Sequence, residues 1–290
     1  MLEFRPITLK DEAKIRLYLS LSPSKQLIDC FEAFYLWRDV LLVEWTEAGG
    51  FAIFKVYYES GKPRFIFPFG SGDPTDIIRR LKDYCAKQGY PLCFAKVRKE
   101  QLLFLQEHFP GELTASAHRD HAEYLFETKI FQDYSGKGLQ PKRNFVNYAR
   151  QHYDWHYEAL STANLEECKR FAGTFEGNKS FESDSDALRN ALDEFSNLHM
   201  KGGLIRIGPD IASLFICTML GDNETAAGLF LRGDHEKKGV IPLMYQVYFL
   251  HHPEFKYFNF GEDLGIEGLR KNKLSFHPME IMALYETVFV

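Results

Sequence analysis

The sequence lacks the features that mark membrane-spanning, disulfide-bonded or zinc-binding proteins. No run of 18 apolar residues occurs in its 290 residues, so no transmembrane segment is expected. The five cysteines are an odd number without C-x-x-C spacing, which argues against a disulfide framework or a zinc site and favours a reducing compartment. The first residues contain no long apolar segment, so no signal peptide is expected. These absences indicate a cytoplasmic protein, and a peripheral position at the membrane surface stays open.

Further absences restrict the chemistry. The chain contains neither a P-loop nor a serine or cysteine in a nucleophile elbow. His118 and His121 have H-x-x-H spacing, but no glutamate accompanies them on a helix, so no metal site is expected. The formal net charge of −5 gives no overall attraction to nucleic acid or anionic lipid. A local basic patch can still bind an anion against that background.

The chain has enough apolar residues to build a sizeable core, because 45% of it is hydrophobic and 15% is aromatic. Each half follows one order of predicted elements: a strand, two helices, a three-stranded meander, a helix, a strand, a helix and closing strands. The closing strands of the first half are predicted at 113–117 and 123–128, and that of the second half at 281–290. This order is typical of the Gcn5-related N-acyltransferase (GNAT) fold. The sequence therefore predicts an α/β (α+β) protein with two tandem GNAT-like domains, 1–130 and 131–290, whose mixed sheets are flanked by helices.

A basic segment without acids follows the predicted domain boundary. In the stretch 137–151, Pro141 can begin a helix, which places Lys142 and Arg143 in its first turn, directly before Asn144. Backbone N–H groups in a first turn have no partner within the helix, so together with the bases they favour a phosphate or carboxylate ligand. The alternative is a solvated basic helix face. We predict that these three residues bind phosphate groups of a substrate.

An acidic turn follows a predicted strand that ends at Phe260. Glu262 and Asp263 lie in this turn, and the short helix predicted after it carries Arg270 and Lys273. Either acid can act as a general base, and the two bases share a helix face on which they can hold an anion. The alternatives are that Asp263 caps the helix, that Glu262 is an exposed turn residue, and that Glu267 forms a surface ion pair with Arg270 or Lys271.

These segments resemble the C-terminal catalytic domain of phosphatidylglycerol lysyltransferases, over about residues 119 to 290. The basic segment matches at 141–144. The C-terminal signature matches at Glu262, Asp263, Leu264, Gly265, Gly268, Leu269, Arg270, Lys273, Leu274, Ser275, His277 and Pro278.

The resemblance implies aminoacyl transfer from aminoacyl-tRNA to a lipid head group, without a metal or another cofactor, and a relation in fold to Fem-type aminoacyltransferases. Two features depart from the family: the chain has no integral-membrane flippase domain, and the stretch 231–239 is unlike the family pattern. Two alternatives stay open. One is an acyl-CoA-dependent N-acetyltransferase, although 70–73 and 232–234 lack the CoA-binding pattern. The other is a non-catalytic module that binds a phosphorylated ligand.

Overall fold

Two mixed β-sheets form the centre of the protein, and a computed structural model describes residues 2–58, 61–175 and 184–290. The strands within these residues are β1 (Arg5–Pro6), β2 (Glu44–Ala48), β3 (Phe51–Tyr57), β4 (Pro63–Ile66), β5 (Phe69–Gly70), β6 (Cys93–Val97), β7 (Leu113–Ala117), β8 (Glu123–Glu127), β9 (Trp155–Ala159), β10 (Met200–Ile207), β11 (Asp210–Met219), β12 (Thr225–Gly233), β13 (Tyr257–Glu262), β14 (Glu280–Met282) and β15 (Tyr285–Phe289). The α-helices are α1 (Glu12–Ser20), α2 (Phe31–Tyr35), α3 (Thr75–Lys87), α4 (Lys99–His108), α5 (Lys129–Asp133), α6 (Gln140–His152), α7 (Leu165–Gly173), α8 (Ser185–Asp193), α9 (Val240–His251) and α10 (Glu267–Leu274).

The two sheets repeat one arrangement. The first has the strand order β1-β2-β3-β4-β6-β15-β7, with β5 paired to β3, and the second has the order β14-β8-β13-β12-β11-β10-β9. In both sheets a three-stranded antiparallel meander is followed by a parallel neighbour, β6 beside β4 and β13 beside β12. A parallel neighbour requires a crossover connection, which α3 and α9 supply. The predicted repeat of two mixed sheets flanked by helices is confirmed.

Each sheet contains one strand from the other half of the chain. The last strand, β15, lies between β6 and β7, so that Tyr285 pairs with Val97 on one side and Ala117 on the other. Conversely, β8 lies between β13 and β14, so that Phe126 pairs with Phe258. The sequence-based prediction that β8 belongs to the first sheet and β15 to the second is therefore wrong. Short apolar strands fit either sheet, and the path of the connections decides which strands pair. The boundary near residue 130 stays a prediction, but neither sheet is built from one side of it alone.

The two halves also share a hydrophobic core. One cluster of buried side chains extends from Ile7 and Phe54 in the first half to Leu214 and Phe230 in the second. Trp37 stacks on Phe230, with ring centroids 5.2 Å apart. This contact surface fixes the position of one sheet relative to the other, and so it also fixes the shape of the space between them.

The two crossover helices differ in how much of their surface is apolar. In α3 the buried residues Ile77, Ile78, Leu81 and Cys85 form one face, as expected for a helix that covers a sheet. In α9 seven of twelve residues are buried, and they pack into a second core cluster with β11 and β13. A helix that is apolar around most of its circumference is stable only when it is enclosed, which explains why α6 packs over it.

Candidate active site

A cavity of about 1750 Å³ lies between the two halves and is lined by residues of both sheets. Part of it lies where β12 and β13 separate. These strands pair only over Thr225–Ala227 against 257–259, and the residues that follow in each strand line the cavity. Where parallel strands diverge, backbone N–H and C=O groups can bind a substrate instead of a neighbouring strand.

The described cavity lining carries more positive than negative side chains, although the chain as a whole is negative. Seven lysines and arginines and four acids line it. The bases are Arg64, Lys96, Lys142, Arg232, Lys237, Lys238 and Lys273, and the acids are Asp184, Asp234, Glu262 and Glu286. Much of the remaining lining is apolar, including Trp37, Phe230 and Tyr245. The cavity therefore suits a ligand that combines a phosphate or carboxylate with an apolar part.

Glu262 is the last residue of β13, and its side chain is only 10% exposed, so it is not an exposed turn residue. The pairing of β13 with β8 is irregular between Asn259 and Glu262, and Gly261 has the left-handed φ of 68°. Such a bulge redirects the side chain that follows it. The carboxylate lines the cavity, where Oε1 accepts a hydrogen bond from Nζ of Lys96 and Oε2 contacts Nδ1 of His121 at 2.8 Å.

Lys96 comes from the first sheet and reaches Glu262 across the junction of the halves. Its backbone has a left-handed φ of 55°, which is costly for a residue other than glycine, and its carbonyl accepts a hydrogen bond from Nε2 of Gln26 at 2.8 Å. Burial lowers the pKa of Lys96, and the charge of the fully buried Glu123 opposes that shift. Glu123 is itself fixed by hydrogen bonds from the backbone N–H of Leu27 and from Nδ2 of Asn259. The strained lysine is thus held beside Glu262 by contacts from both halves.

Asp263 is fully buried and does not line the cavity. Arg270 donates two hydrogen bonds to its carboxylate, at 2.9 and 2.7 Å, and Arg119, Tyr124 and the backbone N–H of Gly265 donate one each. Chiefly because of the hydrogen bond from Arg270, the pKa of Asp263 is held well below its usual range. A carboxylate in this environment is a poor proton acceptor. The contacts fit an anchoring role rather than the catalytic role predicted from the sequence.

The two bases predicted to hold an anion together have separate partners. Arg270 binds Asp263 and, through Nη2, Oδ1 of Asp120 at 2.6 Å, and it does not line the cavity. Lys273 lines the cavity, but its Nζ donates hydrogen bonds to the backbone carbonyls of Phe260, at 2.7 Å, and Glu262. Burial lowers the pKa of Lys273 to about 8. Lys273 therefore fastens the bulge that carries Glu262.

The predicted basic helix forms as α6, which begins at Gln140 with Pro141 in its first turn. Lys142 lines the cavity, and its Nζ lies 3.8 Å from the ring centroid of Phe276. Burial lowers the pKa of Lys142 to about 8. Arg143 instead donates hydrogen bonds to the carbonyls of Tyr134 and Gly136 and does not line the cavity, and Asn144 is exposed outside it. Only Lys142 of these three residues is placed to meet a ligand in the cavity.

The family model of the phosphatidylglycerol lysyltransferase C-terminal domain matches residues 21–286. The chain belongs to this family. The match begins far before residue 119, where the resemblance was predicted to start, and it includes Lys96 and the rest of the first-sheet side of the cavity. A search of curated proteins found no significant match.

Solved structures place this family member in the tandem GNAT-like fold. A conserved protein of unknown function from Bacteroides thetaiotaomicron VPI-5482 is 24% identical, with a TM-score of 0.93 over 100% of both chains. L-PGS from Bacillus licheniformis is 15% identical, with a TM-score of 0.69 over 96% of this chain and 92% of that one. A tandem GNAT protein from the clavulanic acid biosynthesis pathway is 11% identical, with a TM-score of 0.56 over 99% and 98%. The predicted fold class and the relation to acyltransferases of this type are confirmed.

Two residues of the site were missed from the sequence. His121 was considered only as a metal ligand with His118, and Lys96 lies in an apolar strand without any motif. Neither contact with Glu262 is visible in the sequence, because the partners lie 141 and 166 positions away. In the part of the chain that the structure describes, no three His, Cys, Asp or Glu side chains are grouped to hold a metal ion. None of the helices described there combines the length and apolar character that crossing a bilayer requires.

Proposed function

We propose that this protein transfers an aminoacyl group from aminoacyl-tRNA to an amine or hydroxyl of a lipid head group, inside the cavity between the two sheets. The observation that carries the proposal is the position of Glu262. It lies at the end of β13, in a cavity of about 1750 Å³ that both halves line with an excess of bases. Such a volume exceeds the 300–1,000 Å³ of an ordinary small-molecule site and leaves space for two substrates at once.

Direct transfer between the two substrates fits this site better than a covalent enzyme intermediate. All five cysteines are buried, and burial raises the pKa of Cys85, Cys93 and Cys168 to about 12, so their thiolates are not available as nucleophiles. In direct transfer the acceptor nitrogen or oxygen attacks the ester carbonyl of the donor and loses its proton, while the ester C–O bond breaks. Lys142 and Lys238 are placed to meet phosphate groups, and the apolar lining suits the acyl chains of a lipid.

The test is a transfer assay with the purified protein, a mixture of radiolabelled aminoacyl-tRNAs and vesicles that contain anionic phospholipids. Label is expected in the lipid extract. Glu262→Gln should reduce the transfer rate by roughly 100-fold or more, because the carboxylate governs proton removal. Glu267→Gln is the matched control, since this exposed glutamate of α10 pairs with Lys271 at 2.6 Å and lies outside the cavity.

Three outcomes would change the assignment. Transfer from acetyl-CoA, with none from aminoacyl-tRNA, would replace the donor and identify an N-acetyltransferase. Saturable binding of tRNA or lipid without turnover of any donor would identify a binding module. Equal loss of activity in Glu262→Gln and Glu267→Gln would show that Glu262 has no specific role in the reaction.

A further inference from the structure

His121 and Glu262 form a pair with the geometry of a base and its orienting carboxylate. Nδ1 of His121 lies 2.8 Å from Oε2 of Glu262, and the other carboxylate oxygen is occupied by Lys96. The His121 side chain is 55% exposed, and it lines the cavity. Glu262, in contrast, is only 10% exposed and already accepts a hydrogen bond on each oxygen. Of the two, His121 is the side chain that a substrate can reach.

The carboxylate decides which ring nitrogen of His121 carries the proton. Because an ionised carboxylate only accepts hydrogen bonds, Nδ1 must be the donor, and in the neutral ring this leaves the lone pair on Nε2. A lone pair on the nitrogen that is not bound to the carboxylate is the arrangement that proton abstraction requires. Lys96 contributes by holding the carboxylate in place from its opposite side.

Burial and nearby positive charge favour the neutral form of His121, and the nearby carboxylates oppose it. Burial lowers the pKa of His121 below the ordinary value, and Lys96 on β6 and the neighbouring His118 lower it further. Asp120 beside it and Glu286 on β15 act in the opposite direction, and so does the carboxylate of Glu262 at 2.8 Å from Nδ1. With its pKa lowered by burial, the imidazole of His121 can accept a proton near neutral pH.

We propose that His121 is the general base of the transfer reaction and that Glu262 is its positioning residue. The proposal rests on the function proposed above. Nε2 of His121 takes the proton from the acceptor amine or hydroxyl as the new bond to the donor carbonyl carbon forms. The same proton is then delivered to the leaving oxygen as the ester C–O bond breaks, so the imidazole returns to its starting state.

The first test compares the rate of transfer for His121→Asn and the wild type between pH 5 and 9. Asparagine keeps an N–H donor near the position of Nδ1, so it can still bind Glu262, but it cannot accept the proton. We expect kcat/KM to fall by ~100- to 10,000-fold. In the wild type kcat/KM should rise with pH through the pKa of His121, which burial lowers from its ordinary value. This rise should be absent from the residual activity of His121→Asn.

A matched control is available on the surface. Nδ1 of His199 lies 2.9 Å from Oε1 of Glu12, the same kind of pair, but His199 is 76% exposed and outside the cavity. His199→Asn should leave kcat/KM and its pH dependence unchanged. If His121→Asn stays within threefold of the wild type and keeps the rise with pH while Glu262→Gln is inactive, Glu262 is itself the base, and only the present inference fails.

The second test does not depend on the substrates. In ¹⁵N NMR spectra of the imidazole groups at pH 7.5, His121 should show the tautomer with the proton on Nδ1. In Glu262→Gln the amide N–H can face Nδ1, and the tautomer with the proton on Nε2 should increase. If the spectra of the wild-type protein show the proton of His121 on Nε2, His121 is not the general base, even if the protein is an active aminoacyltransferase. Absence of any transfer by a protein with the Nδ1–H tautomer would instead refute the proposed function.

Discussion

Replacing Asp263 by asparagine is expected to destabilise the protein and not simply to stop a reaction. The carboxylate is fully buried and accepts five hydrogen bonds. The two from Arg270 connect α10 to the end of β13, and the one from Arg119 connects the segment before β8 to the same place. Asparagine has nearly the same shape but no charge, and its NH₂ group must face one of these donors. At least one hydrogen bond is then lost, and the others lose their charge assistance.

The expected loss in the free energy of unfolding at pH 7 is about 2–3 kcal/mol. Breaking a buried ion pair by removing one partner typically costs 3–5 kcal/mol. The value is lower here because the two charged partners are not fully buried: the Arg270 side chain is 31% exposed and that of Arg119 is 42% exposed. Water can therefore solvate both guanidinium groups after the substitution.

The loss should depend on pH in a defined direction. The pKa of Asp263 in the folded protein lies well below its usual range, whereas in the unfolded chain it is near 3.9. The folded state therefore gains stability from ionised Asp263 above about pH 4, and this gain is lost as the pH falls toward the folded pKa. The difference between wild type and Asp263→Asn should be constant from pH 8 to 5 and should shrink below pH 4.

Urea unfolding followed by circular dichroism measures this difference at each pH. The control is Asp120→Asn, which removes a carboxylate that binds the same Arg270 but is 57% exposed, and which should cost at most about 1 kcal/mol. Equal costs of the two substitutions, or a cost of Asp263→Asn that is unchanged down to pH 3, would refute the anchoring role of Asp263.

Two further predictions concern the first turn of α6. Arg143→Ala should lower the free energy of unfolding by about 1–3 kcal/mol, because the carbonyls of Tyr134 and Gly136 lose a charged donor. If the variant instead binds pyrophosphate more weakly and is as stable as the wild type, Arg143 has the phosphate-binding role predicted from the sequence. Lys142→Met should raise the stability of the free protein at pH 7 by up to about 3 kcal/mol, because the folded state lowers the pKa of Lys142 to about 8 and so disfavours its charged form. That gain should disappear as the pH rises from about 8, where Lys142 loses its proton in the folded protein, to about 10.5, where it loses it in the unfolded chain. Urea titrations that show a constant gain over this range would contradict the lowered pKa.

The sequence alone was sufficient for the features that arise from local patterns. Alternating and helical apolar spacing predicted the repeated order of elements, and with it the two mixed sheets, because side-chain periodicity is a property of each segment by itself. Pro141 correctly marked the start of α6, since its fixed φ and missing N–H suit a first helical turn. The acidic turn at Glu262 and Asp263 was recognisable because strand ends that lead into helices commonly carry ligand sites.

What each side chain does was decided by partners far away in the chain. Glu262 and Asp263 are neighbours in sequence, yet one faces the cavity with Lys96 and His121 and the other is buried with Arg119, Tyr124 and Arg270. Adjacent residues of an extended chain point to opposite sides, so the bulge after Asn259 determines which acid meets the cavity. The exchange of β8 and β15 between the sheets depends on the path of the chain in three dimensions. That exchange places β8 beside β13, together with the segment before β8 that carries His121. No local sequence pattern encodes such a contact.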